Sequence, residues 1–183
     1  MKKLMAITML CLILISCGEK KKEVAQLMSS PVKLKALIID GQNNHYVWPK
    51  TTMMMKDYLE QTDLFTVDIE RMDSVWLGIK YNKTRPEAYE SFIETYPLKD
   101  KTYQISNSLI KTSDFTLNFS DYDVIISNLG SDSPLWPVKT REAFESYMKN
   151  GGGFVVIHAA DNAWGDWEEY NKMIGLGAWG GRN

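Results

Sequence analysis

Cysteine is nearly absent from this chain of 183 residues: there are two, Cys11 and Cys17, both near the start. Past residue 17 there is therefore no disulfide, no thiolate metal ligand and no cysteine nucleophile, and packing alone must hold the body together. Histidine is as scarce, with His45 and His158 only. No G-x-S-x-G elbow marks a serine nucleophile, and no G-x-G-x-x-G opens a helix after the first apolar strand, which argues against a nicotinamide cofactor. The triple glycine Gly151-Gly152-Gly153 precedes a strand, so it reads as a turn and not as a phosphate cradle. Neither sign of charge dominates. The formal net charge is −2, and loss of Lys2 and Lys3 takes it to −4, so nothing points to a nucleic-acid partner. No apolar run reaches the roughly 20 residues that span a bilayer.

What the first residues do contain is an export signal. Lys2 and Lys3 precede Leu4 to Ile15, a run free of charge with the length of a signal-peptide apolar core. It ends in Leu14-Ile15-Ser16-Cys17, which resembles a lipobox, the site where a peptidase cuts before a lipidated cysteine. Residues 1–16 are thus expected to be a lipoprotein signal, and Cys17 the lipidation site. Several acyl chains on one residue anchor stably where a single chain does not. Residues 17–31, with Glu19-Lys20-Lys21-Lys22-Glu23 and Ser29-Ser30-Pro31, read as a solvated tether. The expected location is the cell envelope, on the periplasmic or outer side of a bacterial membrane.

Residues 32–183 have the length of one domain. Val32 to Asp40 ends in a continuous apolar run, as a strand buried on both faces does. A polar loop follows, then a helix over about Lys50 to Thr62 with Met54, Met55, Tyr58 and Leu59 as its apolar face, then a strand at Phe65 to Ile69. Residues 70–119 are irregular and read as an insertion, with a capped helix over Pro86 to Tyr96. The pattern returns with a strand at Asp123 to Asn128, a helix begun by Pro137 and ended by Asn150-Gly151, and a fourth strand at Gly153 to His158. Asp166 and Glu169 suggest a capping box for a last helix reaching Ile174. Alternating strands and helices of this kind imply a parallel sheet covered by helices.

Ligands of open α/β sheets sit outside the carboxyl ends of the strands. That edge receives the loop from Gly41 to Trp48, then Asn128 with the loop to Trp136, and His158 with Asp161 and Asn162. A lone histidine at a strand end is often structural, but here both histidines of the chain fall at one edge among Asn, Asp and Trp. His45 and His158 are the candidate general acid and base, with Asp161 orienting or assisting. Asn43, Asn44, Trp48, Asn128 and Asn162 are the candidate substrate-binding residues. Tryptophans of this region can pack in the core or stack on a sugar ring, and the sequence leaves both open.

Three stretches together resemble the ThuA-like (trehalose utilisation) family: Leu37 to Trp48, Tyr122 to Asn128, and Gly151 to Asn162 running on through Ala163-Trp164. The matching polar residues are Asn44, His45, His158 and Asn162. The resemblance implies a flavodoxin-like three-layer sandwich of the class I glutamine amidotransferase type. Relatives with amidotransferase activity carry a cysteine in an elbow after a strand. Here Ile157-His158-Ala159-Ala160 occupies that turn without a thiol, so glutaminase activity is not expected. Members usually continue well past this point, and the sheet is expected to be incomplete at its C-terminal end.

The resemblance and the residues together predict an envelope-anchored protein of carbohydrate catabolism that processes a sugar or oxidised sugar by acid–base chemistry. Its partners would be a small carbohydrate, the membrane through the lipid, and a sugar oxidoreductase of the same pathway. The sequence names no cofactor. Two alternatives share the scaffold: a non-catalytic carbohydrate-binding lipoprotein, and a metal-assisted hydrolase in which His45 and His158 are joined by Asp161 or Asp132.

Overall fold

A computed structural model describes residues 32–76, 93–98, 102–106 and 108–177. The expected signal, tether and lipidation site at Cys17 lie outside these residues. The chain divides into two units, Met1–Val32 and Lys33–Asn183, and the fold is that of the second.

Strand β1, Leu34–Gln42, is the centre of the sheet. It pairs in parallel with β2 (Phe65–Trp76) on one side and with β4 (Val124–Ser127) on the other. Both edges being occupied explains why its residues from Ala36 onward are buried. Alternate side chains point to opposite faces. Ala36 and Ile38 meet Val67, Ile126, Met55 and Leu59 on one face. Leu37 and Ile39 meet Ile125, Leu129, Phe144 and Tyr147 on the other. Helix α1 (Trp48–Gln61) covers the first face, and α2 (Val138–Lys149) and α3 (Glu168–Ile174) supply residues to the second. The result is a flavodoxin-like three-layer sandwich.

Among the described residues the sheet has five parallel strands, in the order β3-β2-β1-β4-β5, where β3 is Gln104–Ser106 and β5 is Gly153–Val156. The region 70–119 is therefore not wholly an insertion. It supplies the second half of β2 and the strand β3, paired through Ser74↔Gln104, Val75↔Ile105 and Trp76↔Ser106. The extension of β2 escapes pattern reading because Glu70-Arg71-Met72-Asp73 does not look like a buried strand. Arg71 is nonetheless wholly buried, since Asp40 on β1 neutralises it. Of the helix expected over Pro86 to Tyr96, residues 86–92 lie outside the described part, and residues 93–95 are helical.

Two helix details differ from the pattern. Met55 and Leu59 pack on the sheet, but Met54 and Tyr58 are exposed. Adjacent residues of a helix lie about 100° apart, and only one of each pair can face a flat sheet. The capping box of α3 does not form: Trp167 is the N-cap without a side-chain bond, and Glu169 instead pairs with Lys172. The aromatic load is largely core. Trp136, Trp164, Trp167, Phe119, Phe144 and Tyr170 form one cluster under α2 and α3. Each such side chain fully buried contributes roughly 1.5–3 kcal/mol.

Candidate active site

The connection leaving β1 enters α1 on one face of the sheet, and that leaving β4 enters α2 on the other. The loops part between these strands and leave a crevice at their carboxyl ends, where open α/β folds bind ligands. Three segments line it: residues 43–47 after β1, the start of the loop after β4, and the turn after β5.

His45 enters from the first. Its backbone N–H donates to Asn43 Oδ1 at 2.8 Å, and its carbonyl accepts from the backbone N–H of Trp48 at 3.1 Å. His158 enters from the third. It follows β5 after Ile157, opens a 3-10 turn over His158–Asn162, and takes the left-handed conformation with φ +49°. A non-glycine residue strained in this way is held by its surroundings and is typical of functional turns. Strand, strained residue, then helical turn is the arrangement of a nucleophile elbow, with an imidazole where a thiol or hydroxyl would stand. The two rings lie 4.6 Å apart between centroids, tilted by 44°. Partial burial lowers the pKa of His45 below its ordinary 6.5, and the nearby charge of His158 lowers it further. His45 is thus neutral near pH 7, the form that accepts a proton.

The rings border a cavity of about 180 Å³ whose walls are Asn43, His45, Val47, Trp48, Thr51, Asn128, Ile157 and His158. Five of the residues singled out from the sequence meet there: Asn43, His45, Trp48, Asn128 and His158. Their uses differ. The Asn43 amide donates to the carbonyls of Asn128 and Leu129, both at 3.0 Å, while its oxygen holds His45, so this side chain braces two loops. Asn128 is buried, and its Nδ2 donates to the Trp48 carbonyl, Thr51 Oγ1 and Thr52 Oγ1 at the start of α1. The indole of Trp48 is 1% exposed, donates to the Trp76 carbonyl and lies under the Arg71 guanidinium at 4.8 Å. It is a fixed wall and not an open stacking platform.

The other three do not line the cavity. Asn44 Oδ1 accepts from Ser131 N and Oγ, joining the loops after β1 and β4. Asp161 accepts from the amide of its neighbour Asn162 within the 3-10 turn. Val47, Thr51, Thr52 and Ile157 were not picked out from sequence. The threonines follow Trp48 by three and four residues, which is the spacing of one helical face, and that spacing was their only signal.

A larger cavity of about 320 Å³ lies between β2 and residues 110–116, lined among others by Arg71, Asp73, Ser113 and Asp114. By size alone it would come before the crevice, though a cavity of about 380 Å³ beside Leu117 and Lys139 is larger still. Neither holds an imidazole, and Arg71 is already committed to Asp40, so the smaller crevice is the better candidate. Among the described residues no three His, Cys, Asp or Glu side chains gather to hold a metal ion. Among the described residues, neither Asp161 nor Asp132 gathers with the two histidines into such a group.

No curated protein matches the chain. Among solved structures it is similar to a putative ThuA-like protein from Parabacteroides merdae ATCC 43184, with 32% identity over 83% of this chain and a TM-score of 0.57. The chain spans 42% of the length of that relative. The family model described as trehalose utilisation matches residues 35–182, which takes in the sheet from the second residue of β1 onward and all three site segments. On that match the chain belongs to the ThuA family.

Proposed function

We propose that this protein processes a sugar or an oxidised sugar by proton transfer between His45 and His158. The observation that carries the proposal is the meeting of the chain's only two histidines, 4.6 Å apart, at the crevice between β1 and β4. Neutral His45 takes a proton from a sugar hydroxyl or from a carbon beside a carbonyl. His158, at the elbow, returns a proton to the neighbouring oxygen or carbon. Val47 and Ile157 give the cavity an apolar side suited to the C–H face of a sugar ring, and Asn128 faces it as a polar group. A hydrolytic glutaminase step has no thiol here to start it. The membership in a trehalose-utilisation family supports a carbohydrate as substrate, and a sugar oxidoreductase would supply the oxidised form. Export and a lipid on Cys17 would put the reaction in the cell envelope.

The test is exchange of carbon-bound hydrogen in D2O, followed by NMR for mono- and disaccharides and their keto forms. Wild type should exchange one hydrogen of a substrate, and His45→Gln or His158→Gln should each lose at least about 10²-fold, the usual size of general acid–base effects. Saturable binding of a sugar with no exchange and no turnover would instead favour the non-catalytic carbohydrate-binding reading.

A further inference from the structure

The segment from His158 to Trp164 is strained at both ends. His158 has φ +49° and Trp164 has φ +53°, and neither is glycine. Between them Ala159, Ala160 and Ala163 are buried, and the turn closes through Ala160 N–H to the Ile157 carbonyl and Ala163 N–H to the Ala160 carbonyl. Such strain persists only where surrounding contacts over-determine the shape. The contact that does so is the indole of Trp164. It is 7% exposed and packs against Trp136, Trp167 and Tyr170. Its Nε1–H donates to the carbonyls of Ser133 and Pro134, each at 3.1 Å, in the loop after β4.

Ser133 faces both ways. While its carbonyl accepts from Trp164, its hydroxyl donates to the Gln42 carbonyl at 2.8 Å, at the end of β1. Gly130 N–H also donates to the Gln42 carbonyl and to Ser133 Oγ. Gln42 leads within three residues to His45, and Trp164 leads back within six to His158. A continuous buried path therefore runs from one imidazole's loop, through Ser133, to the other's.

We propose that Trp164 and Ser133 are positioning residues that fix the spacing of the two imidazoles, by tying the elbow after β5 to the loop after β1. Trp164 is not a ring for substrate, and it touches neither imidazole. The inference rests on His45 and His158 being the working pair, but it is read from the imidazoles themselves and not from turnover. A chain inert toward every sugar would still answer it.

The experiment uses the full chain. Trp164→Phe keeps an aromatic ring in the cluster and removes the N–H. Trp167→Phe is its control, because the Trp167 indole N–H goes to Glu145 Oε1 on α2, away from the site. In Trp164→Phe the nuclear Overhauser contact between the two imidazoles should weaken or vanish, and the His45 titration midpoint should move up toward 6.5 as His158 withdraws. Trp167→Phe should leave both unchanged. Ser133→Ala removes only the hydroxyl tie and should move both in the same direction, and it decides the matter if Trp164→Phe does not fold. Wild-type ring contact and midpoint in Trp164→Phe or, failing that variant, in Ser133→Ala overturn the proposal. So does an equal change in Trp167→Phe, which would make the effect a general loosening of the core.

Discussion

Asp40 and Arg71 form a fully buried ion pair across adjacent parallel strands, with Arg71 Nε and one terminal nitrogen each 2.8 Å from a different Asp40 oxygen. They are register partners at the last regular position before β1 and β2 slip past one another. Burial alone would lower the pKa of Arg71, but hydrogen bonds to Asp40 and its charge outweigh that and raise it. The guanidinium also lies over the rings of Trp48 and Tyr103. Removing one partner takes this counter-charge from the other inside the core. Asp40→Asn or Arg71→Ala should cost about 3–5 kcal/mol, read from urea unfolding. The double variant Asp40→Leu with Arg71→Met should lose less than either single change. If the single variants cost nothing, the pair is solvated and the burial assigned to it is wrong.

The lowered pKa of His45 fixes the sign of a pH effect. The folded state binds this proton less tightly than the unfolded chain does, so the stability contributed by His45 is complete above about 6.5 and is lost as pH falls through its lowered folded value. Unfolding midpoints should therefore fall between pH 7 and pH 5 more steeply in wild type than in His45→Gln. In His158→Gln the His45 midpoint should rise only part of the way, because burial is the larger cause and the charge of His158 the smaller. A midpoint at or above 6.5 in wild type, by NMR of the imidazole, would contradict this.

The parts of this molecule that repeat a simple period are those the sequence disclosed. The buried run of β1, the strand ending in Asn128 and the Pro137-to-Gly151 helix all follow from apolar spacing and end signals, and they bring both histidines to one edge. What stayed hidden depends on partners far along the chain. Arg71 reads as a surface residue until Asp40 is known to face it. Gln104-Ile105-Ser106 is too short to carry a pattern and is a strand only because Ser74 to Trp76 lie beside it. The asparagines were legible as polar residues at the right edge but not in their use. Asn43 and Asn44 are spent on holding loops together, and nothing in their local sequence separates a loop brace from a ligand contact.

Processing at Cys17 is testable without any assay of function. Acylation adds about 0.8 kcal/mol of membrane affinity per buried methylene, so several chains on one residue hold a protein where one chain would let it leave. Cys17→Ala should block maturation and leave an uncleaved precursor that still carries Met1 to Ser16. Mass spectrometry of mature wild type should find acyl mass on an N-terminal Cys17. An unmodified N-terminus at any other residue would remove the lipoprotein proposal and leave the domain's own chemistry untouched.

Gly130 shows how little room the two site loops leave each other. A Cβ built on it would lie 2.6 Å from Asn44 Oδ1, 2.7 Å from Asn43 Cα and 2.7 Å from the Asn44 nitrogen. Two of these are backbone atoms of the loop that carries His45, so the clash cannot be relieved by turning a side chain. Gly130→Ala must instead push the loop after β1 away from the loop after β4, across the bonds made by Asn43 to the carbonyls of Asn128 and Leu129. Overpacking of this kind costs about 1–3 kcal/mol. The displacement is aimed at His45, so its ring contact with His158 should weaken while the far side of the sheet stays as it was. Gly151→Ala is the contrasting change. It meets nothing within 4 Å and is strained only by its φ of +90°, so it should lower the melting temperature without altering either imidazole. Imidazole spectra of the two variants, compared at equal loss of stability, separate a local wedge from a general weakening. If both leave His45 unmoved, the loops are looser than their hydrogen bonds imply.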